Sequence, residues 1–436
     1  MAAVRVLKTV IKRRFSSALY ITGDKAQSNY VVLTPHIDFD EQIKRKDDLV
    51  KSIKARKLNI DLDKIEKRWA FFKMLDDHKT VLEVTRNEIN VVIGKLKQEP
   101  QKNAADIEKL QLHVKLVKDD LKNIKDYSYG IDENANLGVL SLPNLLHPQT
   151  PINNTVTCHE FLDQPKRVDK SHVDVAKSLN LIVYVNPTCC FLKSDAALLE
   201  FSLTNYFQEN LLKMGFTQFS NADFARSVVV DGCGDRKIFT LEGSNDELNR
   251  LHLVGGGSLH SFMAYFAKHS LQAAALPLKF FSLGRKYVSG DTGSDLFNLS
   301  QNSVARVFVA FEDDRQMDET LHALTQQIIQ LYEPLGYHFK LVYVPASDLE
   351  KGESLRVSVQ MLSNFLQKYV EVGSLGVYDD YLSKRLLFTC MVNKERRFLK
   401  IISGEVLNVQ RFLACAIENN CLLEKPLIPD VLKKYL

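Results

Sequence analysis

Few residues in this 436-residue chain stand at spacings that do chemistry by themselves. The run Gly255-Gly256-Gly257 has the freedom to wrap a phosphate, yet no Lys-Ser/Thr pair follows it and the P-loop pattern is absent. Ser258 and His260 come next; they are too close in sequence to argue for a hydrolase triad, and a loop is the plainer reading. Eleven histidines show no HExxH spacing, and seven cysteines, at 158, 189, 190, 233, 390, 415 and 421, show no CxxC. Cys189 and Cys190 adjoin each other with no facing Cys/His group at ligand spacing, so no metal site is expected. The odd number of thiols reads as reduced and mostly buried, in keeping with a mitochondrial matrix compartment. Any site must therefore be assembled from distant segments.

The strongest signal for an element that positions others lies between residues 61 and 127. Leu75, Lys79, Leu82, Arg86, Ile89, Ile93 and Leu96 alternate steps of four and three, as do Ile107, Leu110, Val114, Val117, Leu121 and Ile124. Pro100 stops the first helix, and Asn103 with Asp106 starts the second. The short polar break predicts an antiparallel helical hairpin, a coiled-coil arm spanning 30–130. An intermolecular coiled coil is the alternative. At ~1.5 Å per residue the helices are roughly 55 and 35 Å long, so the second leaves the base of the first uncovered. Trp69 and Phe72 are then expected to pack on the globular half. Arg86, Lys95, Lys97 and Lys102 toward the tip are candidate nucleic-acid contacts; a solvated charged tip, diluted by Glu88 and Glu99, is the competing reading.

A stiff connector spans 131–173, with Pro143, Pro148 and Pro151 in it. From 174 to 436, helices alternate with β-branched stretches such as 181–185, 306–311 and 386–392. This predicts an α+β fold, an antiparallel sheet with flanking helices. An apolar fraction of 45% with 25% charge suits a globular protein of two domains. No apolar run reaches bilayer length, so no membrane insertion is expected. Arg5, Lys8, Lys12, Arg13 and Arg14 precede the first acid, Asp24, and Val4, Leu7, Ile11 and Phe15 share a helical stripe. That composition predicts a mitochondrial presequence within 1–25, with a disordered basic tail as the alternative. Without those five, 52 of the 57 basic residues face 53 acidic ones, a net of −1. Any nucleic-acid affinity must come from local patches.

The segment Pro143-Asn144-Leu145-Leu146-His147-Pro148 resembles the Pro-Asn-x-x-His-Pro connector of seryl-tRNA synthetases, and a long helical hairpin precedes it as in that family. Residues 211–217 with 231–234 look like motif 1, the class II dimerisation element, with Ala222 at its proline. Residues 281–312 have the layout of motif 2, and 403–420 that of motif 3. The resemblance covers nearly the whole chain after the presequence. It implies the class II aminoacyl-tRNA synthetase architecture.

The same resemblance implies roles for residues. Arg285 matches the motif 2 arginine on the α-phosphate, and Arg411 the motif 3 arginine on the γ-phosphate. Glu371 and Ser374 match metal and phosphate ligands. On these alone ATP with Mg²⁺ has a place; alternatively Arg285 and Arg411 pair with Glu371 and Glu405. The other substrate-binding positions are altered. Tyr287 stands where an acid receives the adenine amine, Asn302 where a phenylalanine stacks on adenine, and Ser300 for its histidine. Gly256-Gly257-Ser258 replaces the Thr-x-Glu that holds the serine ammonium, Arg306 a second pocket glutamate, and Gly404-Glu405 an Asn/Thr pair. Removing one charged group of this kind costs ~2–4 kcal/mol of transition-state stabilisation. The implied protein is a catalytically inactive paralogue in the mitochondrial matrix. Its implied partners are the genuine mitochondrial seryl-tRNA synthetase or a second copy of itself, in support of mitochondrial translation. Two alternatives remain: binding of tRNA, other RNA or mitochondrial DNA through the arm, and an ATP-dependent ligase in which Arg306 selects an acidic or phosphorylated substrate.

Overall fold

The computed structural model describes residues 17–21, 33–98, 104–234, 237–242, 249–290, 293, 295–423 and 426–436. Most of the expected presequence, and Lys102 at the arm tip, lie outside them. The chain forms two compact units, Met1–Val32 with Asn59–Leu142, and Leu33–Leu58 with Pro143–Leu436.

The stretch 33–58, expected in the arm, thus belongs to the second unit. Its helix α1 (Lys46–Ala55) is followed by the buried Arg56, whose Nη1 donates to Glu350 O (2.7 Å), while Ser52 Oγ donates to Asn144 O (2.8 Å). These long-range backbone contacts have no local signature. The arm consists of α2 (Leu62–Leu96), capped by Asp61 accepting from Lys64 N, and α3 (Ala104–Leu140). The expected seam is observed: Leu75, Leu82, Ile89, Leu110 and Leu121 are half-buried, and Ile93 and Val114 buried.

The length of α3 corrects the expectation. Its 37 residues span about 55 Å at the helical rise, matching the 35 residues of α2. A Cβ on Gly138 would stand 3.6 Å from Ile65 Cγ1 at the base, so α3 covers the base, and the reason for expecting Trp69 and Phe72 on the globular half is removed. Those two rings pack on each other at 5.4 Å. Residues 125–140 are poor in helix formers, with Gly130, Asn134, Asn136 and Gly138, and burial overrides propensity. Ala135, Asn136 and Val139 are buried, and Tyr20 Oη donates to Asp132 Oδ1 (2.8 Å), which also accepts from Asn136 Nδ2 (2.5 Å).

The second unit is built on one large sheet. Its strands are β1 (Val156–Phe161), β4 (Thr217–Gln218), β5 (Leu278–Tyr287), β6 (Gln301–Phe311), β7 (Phe339–Tyr343), β8 (Leu355–Ser363), β9 (Lys368–Asp379) and β10 (Lys400–Asn408). A separate hairpin is formed by β2 (Ile182–Asn186) and β3 (Cys189–Leu192). The sheet order is β1-β7-β8-β9-β10-β6-β5-β4, antiparallel except for the β4–β5 pair. One face buries Ala305, Val307, Val309 and Phe311 against α4 (His172–Ser178), α5 (Ser194–Lys213), α7 (Asp314–Tyr332) and α8 (Val409–Leu423), with α6 (Leu259–Phe266) on the other face. There Phe308 stacks with Phe262 at 5.1 Å and Phe266 at 5.2 Å. Burying each such ring contributes about 1.5–3 kcal/mol. Asn144 of the connector is stitched to this unit: its Nδ2 donates to Gly352 O (3.1 Å), Tyr378 O (3.0 Å) and Asp379 Oδ2 (3.0 Å).

Candidate functional site

The β5–β6 ladder decides which residues meet. Arg285 pairs with Ser303, Lys286 with Asn302, and Ser282 with Arg306. Directly paired residues share a face and neighbours alternate. Arg285 and Ser303 therefore lie on one face, and Lys286, Asn302 and Arg306 on the other. The two arginines singled out on this hairpin point away from each other.

On the Arg306 face the site is closed by its own side chains. Arg306, 6% exposed, donates from Nε to Gly257 O (2.9 Å) and from Nη2 to Glu405 Oε1 (2.6 Å), its cross-strand partner. Lys286 Nζ forms a second close ion pair with Glu405. Burial alone would raise the Glu405 carboxyl, but Lys286 and Arg306 overcome it and hold the pKa down to about 2, against an ordinary 4.5. Expectations that paired Glu405 with Arg285 or Arg411, or left Arg306 free for an acidic substrate, are thereby corrected. Two substituted positions, Arg306 and Glu405, neutralise each other, with Lys286 as the partner that sequence reasoning missed. Its signal was opposite charge on the two strands that flank β6, visible only once β5 and β10 are known to lie on either side of it.

Backbone occupies the space where Gly256, Gly257 and Ser258 meet this hairpin. Gly257 N donates to Arg285 O (3.0 Å), and Gly256 N to Asp223 Oδ1 (2.7 Å). A Cβ on Gly257 would stand 2.3 Å from Val304 Cγ2, and one on Gly284 2.9 Å from Gly257 N. Gly255, at φ +89°, passes so close that a Cβ would lie 2.1 Å from Arg285 O. Ser258 caps α6, accepting from Ser261 N (3.3 Å), a structural task in place of a hydrolase nucleophile's. Asn302 is buried and donates to Leu299 O (3.1 Å), while Tyr287 is half-exposed.

The phosphate candidates do not converge. Arg285 forms an ion pair with Glu200 of α5 at 3.3 Å and donates to Ser303 Oγ. Arg411, at the start of α8, donates from Nε to Phe297 O (3.0 Å) and from Nη1 to Glu371 O (3.1 Å). Burial alone would lower the Arg356 guanidinium, but Glu353 and, more weakly, Glu371 outweigh it and raise it. Ser374 pairs with Ser358 across β8–β9. Residues 296–297 are held by His172, whose Nε2 accepts from Leu296 N (3.1 Å) while Nδ1 donates to Glu418 Oε1 (2.8 Å). With Arg285 engaged by Glu200 and Ser303 and Arg411 turned to backbone carbonyls, these residues do not fit a nucleotide–magnesium complex. Among the described residues no His/Cys/Asp/Glu group is arranged to hold a metal ion.

Cys233, Cys390 and Cys415 are buried as expected, but Cys158 and Cys189 are exposed and Cys190 half-buried, because two of them ride on the β2–β3 hairpin. On that hairpin Val183, Val185 and Phe191 are exposed, with Phe191 directly opposite Val183. Leu198, Phe201 and Leu212 of α5 are exposed as well. Along the arm, Lys95 and Lys97 are exposed, and Arg86 is half-buried at the seam. A stripe that sequence reading missed runs along α3: Lys115, Lys118, Lys122 and Lys125, all exposed, step by three, four and three. Periodicity of charge, rather than of apolar residues, was the signal for it.

No protein-family model matches the chain. It is 30% identical over 420 residues to a serine–tRNA synthetase-like protein, Slimp, of Drosophila melanogaster, covering 94% of this chain and 90% of that one. It is 22% identical over 449 residues to the mitochondrial serine–tRNA ligase of Bos taurus, covering 95% and 85%. Among solved structures, the seryl-tRNA synthetase of Pyrococcus horikoshii complexed with ATP aligns with a TM-score of 0.77 at 17% identity, over 90% of this chain and 97% of that one. The cytoplasmic serine–tRNA ligase of Naegleria fowleri in complex with AMP aligns at 0.74 and 15%, over 89% and 94%. With its sheet order, its connector and a near full-length relative at this identity, the chain belongs to the seryl-tRNA synthetase family and has the class II fold.

Proposed function

We propose that this chain does not activate serine and acts in the mitochondrial matrix as a binding protein on a synthetase frame. It pairs through its motif 1 region with the genuine mitochondrial seryl-tRNA synthetase, or with a second copy of itself, in support of mitochondrial translation. The observation that carries the reading is the buried Arg306–Glu405–Lys286 cluster packed on Gly257. A substrate ammonium would meet two cations there, the reverse of the charge it needs. The basic leader and the similarity to mitochondrial ligases of Bos taurus and Mus musculus support the location. The exposed apolar residues of α5 and the β2–β3 hairpin support the pairing.

Serine-dependent pyrophosphate exchange tests the catalytic half: no exchange above the enzyme-free blank is expected, and clear exchange overturns it. Affinity purification from mitochondria tests the other half. Recovery of a dimer is expected, and recovery of monomer alone overturns it.

The lysine stripe of α3 favours a second reading, polyanion binding along the arm. Reversing Lys115, Lys118, Lys122 and Lys125 to Glu is then expected to weaken RNA or DNA binding. The salt dependence should flatten by up to about 0.7–0.9 for each phosphate no longer neutralised. Unchanged binding in a filter or anisotropy assay counts against the stripe.

A further inference from the structure

A cleft of about 340 Å³ opens beside Arg285, on the face of β5–β6 opposite the Arg306–Glu405 pair. Its walls include Leu192 and Phe191 of β3 and Leu299; Glu200, Arg285 and Gln301 bring the polar groups. Three features make it a built site. First, Ser303 Oγ ties the charged pair together: it accepts from Arg285 Nη1 and donates to Glu200 Oε1, and buried Gln410 Oε1 accepts from Ser303 N (2.7 Å). Second, that arrangement leaves binding capacity over. Among the described residues, Arg285 uses only Nη1, so its Nε–Nη2 edge keeps a parallel set of donors, the fork that suits a carboxylate. Among the same residues Glu200 uses only Oε1 of its carboxylate, and the Gln301 amide has no hydrogen-bond partner. Third, the charge is balanced. Glu200 opposes a phosphate beside Arg285. The Cys190 thiol, pushed up to about 11 by burial and then by Glu200, adds no thiolate.

A ligand for this cleft needs one anionic group and one cationic group a few ångströms apart, with an apolar remainder. We infer that the cleft binds a small zwitterion with an aliphatic body, in chemical class a free apolar α-amino acid. Its carboxylate lies on the Nε–Nη2 edge of Arg285, its ammonium on Glu200 Oε2 with the Gln301 carbonyl oxygen, and its side chain against Leu192 and Leu299. The volume is within the range of small-molecule sites, roughly 300–1,000 Å³. The inference is independent of the loss of serine activation, because the cleft and the Arg306–Glu405 cluster lie on opposite faces of one hairpin and share no side chain.

The test is calorimetric titration of the full chain with L-leucine, L-leucinamide and 4-methylpentanoate. The amide lacks the carboxylate and the acid lacks the ammonium, at nearly constant apolar volume. Saturable 1:1 binding of leucine is expected, with each analogue at least about tenfold weaker. Arg285→Gln and Glu200→Gln are each expected to lose leucine binding while keeping the wild-type circular dichroism spectrum. If either variant fails to fold, the analogue series on the unaltered chain still decides. Absence of saturable leucine binding up to about 10 mM overturns the inference, as does leucinamide binding as tightly as leucine. A folded Arg285→Gln variant that binds leucine as the wild type does overturns it too.

Discussion

Glu405 is the residue on which the Arg306 face turns. Its folded pKa of about 2 lies below the ordinary carboxylate value of 4.5, so its contribution to stability is complete above that value and is lost as pH falls toward 2. The displacement corresponds to ~3 kcal/mol as an order of magnitude. Glu405→Gln is expected to lower the urea-unfolding free energy at pH 7 by about 3–5 kcal/mol, because Arg306 and Lys286 are left without their counter-charge. The acid-induced decline between pH 4.5 and 2 should shrink in the same variant. A double variant, Arg306→Met with Glu405→Leu, should recover much of the loss, since well-packed apolar residues replace a buried pair at little cost. A Glu405→Gln protein as stable as wild type at pH 7 would show that the cluster does not hold this face. Gly404 offers an independent check. A Cβ there would lie 1.9 Å from Ser374 O, a backbone atom that cannot swing away, so Gly404→Ala is expected to lower the thermal midpoint by several degrees.

At the scale of elements, the arm separates what is local from what is not. Gly94 in α2 and Gly130 in α3 have nothing within 4 Å of a Cβ, so alanine at each should stabilise its helix by about 0.8–1 kcal/mol, read as slower amide exchange along the arm. Faster exchange in Gly130→Ala would mean that the glycine has a packing role. The heptads from Leu75 to Leu96 and from Ile107 to Ile124 were legible because every seam position repeats the same local pattern. The last third of α3 was not legible: Asp132 and Asn136 are held by Tyr20, more than a hundred residues away, against their own propensity. The site divides in the same way. The substitutions at Gly256, Gly257, Ser258 and Arg306 could be read against the family frame, position by position. The orientation of Arg285 could not, because a shift of one residue in strand register turns a side chain to the other face. Nor could the Arg306–Glu405 pair, which depends on two strands about a hundred residues apart becoming neighbours.

For the molecule as a whole, the closed Arg306–Glu405 face and the exposed apolar side chains have to be considered together. Leu198, Phe201, Val183, Val185 and Phe191 face water, and exposed apolar clusters invite aggregation unless a partner covers them. Phe201, 56% exposed on α5, touches solvent rather than core, so changing it tests association with little effect on folding. Aromatic side chains near the centre of an interface commonly cost about 2 kcal/mol or more when removed. Phe201→Asp adds a desolvated charge to that loss, and about 3 kcal/mol raises a dissociation constant more than a hundredfold. The expected outcome is a light-scattering mass near that of one 49.6 kDa chain for Phe201→Asp. The unaltered chain should run at twice that mass, alone or mixed with the genuine mitochondrial ligase, and the variant should keep the circular dichroism spectrum of the unaltered chain. A Phe201→Asp protein that remains dimeric moves the interface elsewhere. An unaltered chain that stays monomeric alone but pairs with the ligase would make this surface specific to a heterodimer.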